Sequence, residues 1–205
     1  MFTGIIQSKG WVLTVETSGD GRDISVRCPQ LEQTVEPGDS VAVNGVCLTV
    51  EKVEPEEPIL HFHLVGETLQ RSNLERVDVG DLVNIEPSLQ VGDSLSGHFV
   101  MGHVDGLGHV ETVEKRDEER TIWIDAPESV LSKVVSKGCI AIDGISLTPV
   151  EVEEDRFSVE LIPETLDRTT LGQRKTGEPV NLEVDLIARY VSDQLEQNDG
   201  LPEQM

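Results

Sequence analysis

Basic residues are scarce: 16 lysines and arginines stand against 39 aspartates and glutamates, a formal net charge of −23 over 205 residues. A chain of that sign repels the phosphate backbone that dominates nucleic-acid affinity, which argues against nucleic acid as a partner. Cysteine is sparse as well. Cys28, Cys47 and Cys139 are odd in number, far apart and without a Cys-x-x-Cys pair, so neither a disulfide framework nor a zinc site is expected. His98, His103 and His109 fit neither a helical His-x-x-x-His pair nor two neighbouring positions on one strand face, and no metal is expected. No apolar run approaches the roughly 18 residues of a spanning helix, and the opening MFTGIIQSKG lacks the features of a secretory leader. Gly-x-Gly-x-x-Gly does not occur, and GLG at 106–108 is too short to act as a phosphate loop. Together these absences point to a soluble, cytoplasmic protein with no membrane partner.

The acidic residues that are present are spread along the chain rather than gathered in one block, which predicts a solvated acidic surface. Self-repulsion on such a surface weakens as salt shortens the Debye length. The expectation is a halophilic protein from a salt-rich cytoplasm, stabilised by salt.

The strongest positive signal is an internal repeat. SVAVNGVCLT at 40–49 aligns without gaps on CIAIDGISLT at 139–148; further on, ETLQRSNL from Glu67 aligns on ETLDRTTL from Glu164, and GDLVNIE from Gly80 on GEPVNLE from Gly177. A weaker match sets Gly4, Ile5 and Ile6 against His103, Val104 and Asp105. A unit of nearly 100 residues is far longer than a solenoid repeat and implies duplication of a whole domain. The expected domains are residues 1–90 and 91–187, joined through the Ser-, Gly- and Pro-containing stretch PSLQVGDSLS at 87–96, with 188–205 as a C-terminal helix and acidic tail.

Within each half, short Val- and Ile-rich segments of period two alternate with Gly, Asp and Asn, the pattern of an all-β domain in which about six strands close a small barrel. Asn44-Gly45 and Asp143-Gly144 predict two-residue type I′ hairpins, because both central positions need positive φ. Such a turn sets Val41, Val43, Val46 and Leu48 on an apolar face and Ser40, Ala42, Cys47 and Thr49 on a small, polar one. The second half repeats the division, with Cys139, Ala141, Ser146 and Thr148 on the small face. Ala and Cys are unusual on a solvated strand, so this face is expected to line a ligand pocket. After Asp185 the period changes: Leu186, Ile187, Tyr190, Val191 and Leu195 recur at helical spacing, which predicts an amphipathic helix. Its stripe would pack on its own domain or on other copies. Cys47 among Ser40 and Thr49 sits in a wetter setting than an inert core thiol and could act as a nucleophile.

MFTGII, NGVCLTV, GHFVMGHVDG, DGISLT and LIPETLDRTTLG, spread over residues 1 to 190, together resemble the riboflavin synthase family of duplicated lumazine-binding domains. The resemblance implies two tandem six-stranded Greek-key-like β-barrels with a C-terminal α-helix, and a homotrimer held through that helix. It implies a cofactor-independent transferase in which two molecules of 6,7-dimethyl-8-ribityllumazine dismutate to riboflavin and 5-amino-6-ribitylamino-uracil by transfer of a four-carbon unit. A lumazine synthase is a candidate partner. The active site is then expected between the N-barrel of one subunit and the C-barrel of a neighbour.

Carried over by position, the resemblance implies that Gly4, Ile5, Ile6, Ser40, Cys47, Leu48, Thr49, His63, Leu64, Val65, Gly66, Glu67 and Thr68 serve the N-barrel pocket. Gly102, His103, Val104, Lys137, Ser146, Leu147, Thr148, Leu161, Ile162, Pro163, Glu164 and Thr165 serve the C-barrel pocket. His103 is the implied base for the acidic 7-methyl protons, with Cys47 or Ser40 helping to form an adduct on the acceptor. The sharpest asymmetries set Cys47 against Ser146 and Gly4 against His103. Pro149 stands where the first half has Val50, so the strand there must end or lie at an edge. Gly66 stands where the second half has Pro163, which predicts a looser rim to the N-pocket. A lumazine carrier or optical protein of the same superfamily is the rival reading, and a purely structural pair of barrels the third.

Overall fold

The computed structural model describes residues 1–31, 34–54, 57–116 and 118–199; the acidic tail at 200–205 lies outside the described residues. The first half contains β1 (Ser8–Ser18), β2 (Gly21–Arg27), β3 (Ser40–Val43), β4 (Val46–Glu54), β5 (Ile59–Leu64) and β6 (Leu82–Pro87). These close into an antiparallel barrel in the order β1-β2-β5-β4-β3-β6, with α1 (Gly66–Arg71) and a 3-10 turn (Asn73–Arg76) crossing from β5 to β6. Register shifts between Val12 and Thr14 in β1 and between Val50 and Lys52 in β4 bend long strands enough to close so small a barrel.

The second half repeats this plan with β7 (Gly106–Arg116), β8 (Glu119–Asp125), β9 (Ile140–Ile142), β10 (Ile145–Leu147), β11 (Pro149–Val152), β12 (Arg156–Leu161) and β13 (Pro179–Val184). Helices α2 (Glu128–Leu131) and α3 (Pro163–Arg168) and a 3-10 turn (Leu171–Gln173) join them. The strand order is β10-β9-β13-β7-β8-β12-β11, so this half has seven strands rather than the six expected. The extra strand arises because the counterpart of β4 breaks at Thr148. Pro149 has no N–H to continue the ladder and instead begins β11, opposite Val159. Helix α4 (Leu186–Asp199) follows.

Both hairpins have the expected register. Val43 faces Val46 and Ser40 faces Thr49, as Ile142 faces Ile145, and φ is positive at Asn44 (46°), Gly45 (74°) and Asp143 (46°). Val41, Val43, Val46 and Leu48 enter the first barrel's core, and Ile140, Ile142 and Ile145 the second's. The small face is divided in use. Ala42 and Ala141 pack with Phe2 and Val100 in a buried cluster between the barrels, which neither a pocket lining nor a solvated face anticipates.

The two turns meet at this seam so closely that a Cβ on Gly45 would lie 2.5 Å from the Gly144 nitrogen. Around them the barrels exchange hydrogen bonds. Asn84 Nδ2 donates to Asp143 O (2.9 Å) and Asn181 Nδ2 to Asn44 O (2.8 Å), a reciprocal pair across a pseudo-twofold axis. The symmetry breaks at Asp143, which is fully buried and paired with Arg174 at 2.7 Å, whereas its counterpart Asn44 needs no countercharge.

Candidate functional site

Hairpin chemistry sets the first pocket. The two-residue turn after β3 brings Cys47 to the start of β4, and α1 follows β5 with Glu67 and Thr68 in its first turn. A cleft of about 240 Å³ opens between them, lined by Val46, Cys47, Glu67, Thr68, Arg71 and Ser72 of the first barrel and by Gly102, His103 and Val104 of the second half. The second half's segment reaches this far because Gly102 O accepts a 2.9 Å hydrogen bond from Cys47 N. Gly102 has φ +78°, and a Cβ there would lie 2.6 Å from Cys47 Cβ, so only glycine allows the approach.

The mirror arrangement holds on the other side. Gly4 O accepts from Ser146 N at 2.8 Å, Gly4 has φ +76°, and its Cβ would lie 2.6 Å from Ser146 Cβ. The first residues of each half therefore cross to the other barrel. Ile6 joins the second core and Val104 packs against the first. Gly4, Ile5 and Ile6 thus belong with Ser146 rather than with Cys47, and Gly102, His103 and Val104 with Cys47 rather than with Ser146. The proper counterpart of Gly4 is Gly102, and that of His103 is Ile5. Matching Gly4 to His103 is out by one position, because the segments are aligned by contacts with distant strands that local similarity does not carry.

The remaining candidates divide by position. Ser40 and Thr49 face each other on the Cys47 side of the hairpin, half-buried and exposed respectively. Leu48, Leu64 and Leu161 are core residues, and Leu147 packs partly against the second core. His63 Nδ1 pairs with Asp23 at 2.5 Å, a contact that raises the imidazole's pKa. Val65, exposed, caps α1; Gly66 begins it, with room for a Cβ limited by Asp20 O at 3.2 Å. In α3, Pro163 occupies the first turn after exposed Ile162, Glu164 pairs with Arg168 at 2.5 Å, and half-buried Thr165 accepts from Thr169 through its carbonyl. Lys137 and Thr148 are exposed, Lys137 with φ +66° and its N–H bound to Pro149 O.

Three residues outside the carried-over set complete the picture. His98 is 7% exposed, and its Nδ1 lies 2.7 Å from Ser146 Oγ while Nε2 is buried without a partner. Burial pushes its pKa down, opposed by the charge of Asp185, so the imidazole is neutral near pH 7 and able to take the hydroxyl proton. Glu86 and Glu183 are buried carboxylates beneath the two crossing segments. The sequence signal for His98 is its place in GHFVMGHVDG, since its spacing from His103 and His109 fits no metal-ligand pattern. Burial pushes the Cys28 thiol up to about 12 and raises that of Cys139, whereas Cys47 is half-buried at the pocket wall. Among the described residues, no group of three or more His, Cys, Asp or Glu side chains is placed to hold a metal ion.

Duplicated barrels with glycine-crossed pockets define a class: the lumazine binding domain matches twice, over residues 3–88 and 101–185. The chain belongs to the riboflavin synthase family. It is 42% identical over 193 residues to the riboflavin synthase of Chlamydia muridarum, covering 94% of each chain. It is 40% identical over 198 residues to that of Escherichia coli, covering 96% of this chain and 92% of that one. Among solved structures, LumP complexed with riboflavin is similar at 25% identity and a TM-score of 0.82, covering 90% of this chain and 99% of that one. LumP complexed with 6,7-dimethyl-8-(1'-D-ribityl) lumazine is 24% identical, with a TM-score of 0.80.

Proposed function

We propose that the chain catalyses the cofactor-independent dismutation of two 6,7-dimethyl-8-ribityllumazine molecules to riboflavin and 5-amino-6-ribitylamino-uracil. The observation that carries this reading is the pair of related but chemically unlike sites, a Cys47 thiol beside His103 and a Ser146 hydroxyl bound to His98. Identical substrates must play unlike roles, and a duplicated scaffold with divergent reactive groups allows it. A carrier needs only to bind.

Cys47, with Ser40 near it, is the nucleophile that stabilises an adduct on the acceptor lumazine. Two bases are available for the 7-methyl protons of the donor. His103 stands in the Cys47 pocket, and the buried, neutral His98 favours a second assignment in which Ser146 and His98 act together. Holding two lumazines together converts a rare encounter into an effectively unimolecular step. The N-barrel of one chain and the C-barrel of a neighbour form the complete site in a homotrimer joined by α4, in the cytoplasm, where a lumazine synthase supplies the substrate. The exposed apolar stripe of α4 supports the assembly.

Incubating the purified protein with the lumazine and following riboflavin absorbance tests the reading. Turnover is expected, falling by about two orders of magnitude or more in Cys47→Ala and in at least one of His98→Ala and His103→Ala. A bound-ligand spectrum without turnover would make the protein a carrier, and no binding would leave a structural role.

A further inference from the structure

Two buried carboxylates occupy matching places on the last strands of the barrels, Glu86 on β6 and Glu183 on β13. Glu86 Oε1 accepts from the amide and the hydroxyl of Thr3, both at 2.7 Å, and its Oε2 from the amide of Gly4 at 3.0 Å. Glu183 Oε1 accepts from the amide of Met101 at 2.7 Å, and its Oε2 from the amides of Gly102 at 2.9 Å and His103 at 3.1 Å. In both places successive N–H groups turn towards one anion around a glycine of positive φ, the concave backbone arrangement that binds anions. The same glycines present their carbonyls to the opposite barrel, Gly102 to Cys47 and Gly4 to Ser146. One short peptide is therefore clamped between a carboxylate of its own barrel and the hairpin of the other.

We propose that Glu183 is a positioning residue acting across the seam: it holds residues 101–103 against the Cys47 hairpin and so fixes where His103 stands in the first barrel's pocket. Glu86 does the same for Ile5 beside Ser146. The clamp has no slack, since a Cβ at Gly102 would already stand 2.6 Å from Cys47 Cβ, and any displacement of the segment is felt at the thiol. Neutral partners are poor substitutes. In Glu183→Gln one carboxylate oxygen becomes an NH2 group that faces backbone donors, so at least one of the three contacts turns repulsive. The inference rests on the first pocket being part of the enzyme's site, but its primary readout does not require turnover.

Alkylation of the full-length native protein by iodoacetamide, followed by peptide mass spectrometry, separates an effect across the seam from a local one. Cys139 immediately precedes β9, the strand paired with β13, and reports on Glu183's own barrel; Cys47 reports on the other. Glu183→Gln is expected to speed labelling of Cys47 by about fivefold or more and to leave Cys139 within about twofold, with Glu86→Gln leaving Cys47 at the wild-type rate. Equal acceleration at both thiols, acceleration at Cys139 alone, or no change at Cys47 overturns the proposal. In turnover the variant should lose about tenfold in kcat with lumazine affinity within about threefold; lost affinity with unchanged kcat also contradicts it. Should the variant not fold, amide exchange in the wild type decides: the Gly102 and His103 amides must be protected as strongly as those of β13, and free exchange refutes the clamp. A wild type that labels as expected yet makes no riboflavin would refute the enzymatic reading and leave the clamp standing.

Discussion

At the scale of single residues, Glu183 combines two opposed demands. Burial pushes its pKa up to about 7 from the ordinary 4.5 of a glutamate, while the amides of Met101, Gly102 and His103 and the charge of Arg189 on α4 pull it down. Arg189 is itself shared with Asp105 at 2.8 Å, so its help is divided. A raised folded-state pKa means that between pH 4.5 and about 7 the folded chain keeps a proton that the unfolded chain has released. The stability contribution is therefore fully present below the unfolded value and lost as pH rises through the folded one. From pH 5 to pH 8 the stability of the wild type relative to Glu183→Gln should fall by roughly 2 to 3 kcal/mol in chemical denaturation. A difference that does not change with pH would show that Glu183 does not titrate there. The anion is nevertheless the form that binds three N–H groups best, so positioning at the pocket improves as this stability declines. Asp143 meets burial differently, by taking Arg174 as a partner. No equivalent charge was needed at Asn44, and the asymmetry is readable only once both turns are seen to meet.

At the scale of elements, α4 is the part whose packing is unfinished. Ile187, Tyr190, Val191 and Leu195 are 63%, 65%, 54% and 61% exposed on one stripe. Burying four such side chains per chain would contribute several kcal/mol, at about 1.5 to 3 kcal/mol for each one fully covered. If the proposed trimer is held through this stripe and each complete site draws on two of its chains, replacing Tyr190 and Val191 with Glu should convert trimer to monomers in sedimentation velocity and abolish turnover with it. A wild type that sediments as an active monomer would end the trimer reading. Helix α4 was legible in advance because a stripe of period 3.6 is a local pattern. The hairpins were legible for a similar reason: Asn44-Gly45 and Asp143-Gly144 determine their turn type over two residues, and every facing pair follows from it. Pro149 likewise announces the strand break through its missing N–H. What escaped was non-local. The crossing of Gly4 and Gly102 depends on Glu86 and Glu183, some 80 positions away, and no periodicity records such a contact. The small face of β3 and β4 was ambiguous for another reason, since Ala42 serves a tight seam as well as it serves a pocket wall.

At the scale of the whole molecule, 39 acidic residues face 16 basic ones, so one-to-one pairing cannot neutralise the excess. Several of the available cations are committed locally: Arg156 to Glu111 and Glu153, Lys52 to Glu54, and Arg174 to the buried Asp143. Salt acts on two competing terms. It screens exposed pairs such as Lys52–Glu54, which hold little stability in water, and it screens the repulsion among the excess carboxylates. The Debye length falls from about 10 Å at 0.1 M to about 3 Å at 1 M, short enough to isolate most neighbouring surface charges from one another. With more than two acids for every base, repulsion should dominate, and compaction of the native state concentrates it relative to the unfolded chain. The melting temperature is therefore expected to rise between 0.1 and 2 M KCl at neutral pH, and the gain should shrink at a pH low enough to protonate the exposed carboxylates. A melting temperature that stays flat or falls over the same range would show that the exposed ion pairs outweigh the net charge, and would remove the argument for a salt-rich cytoplasm.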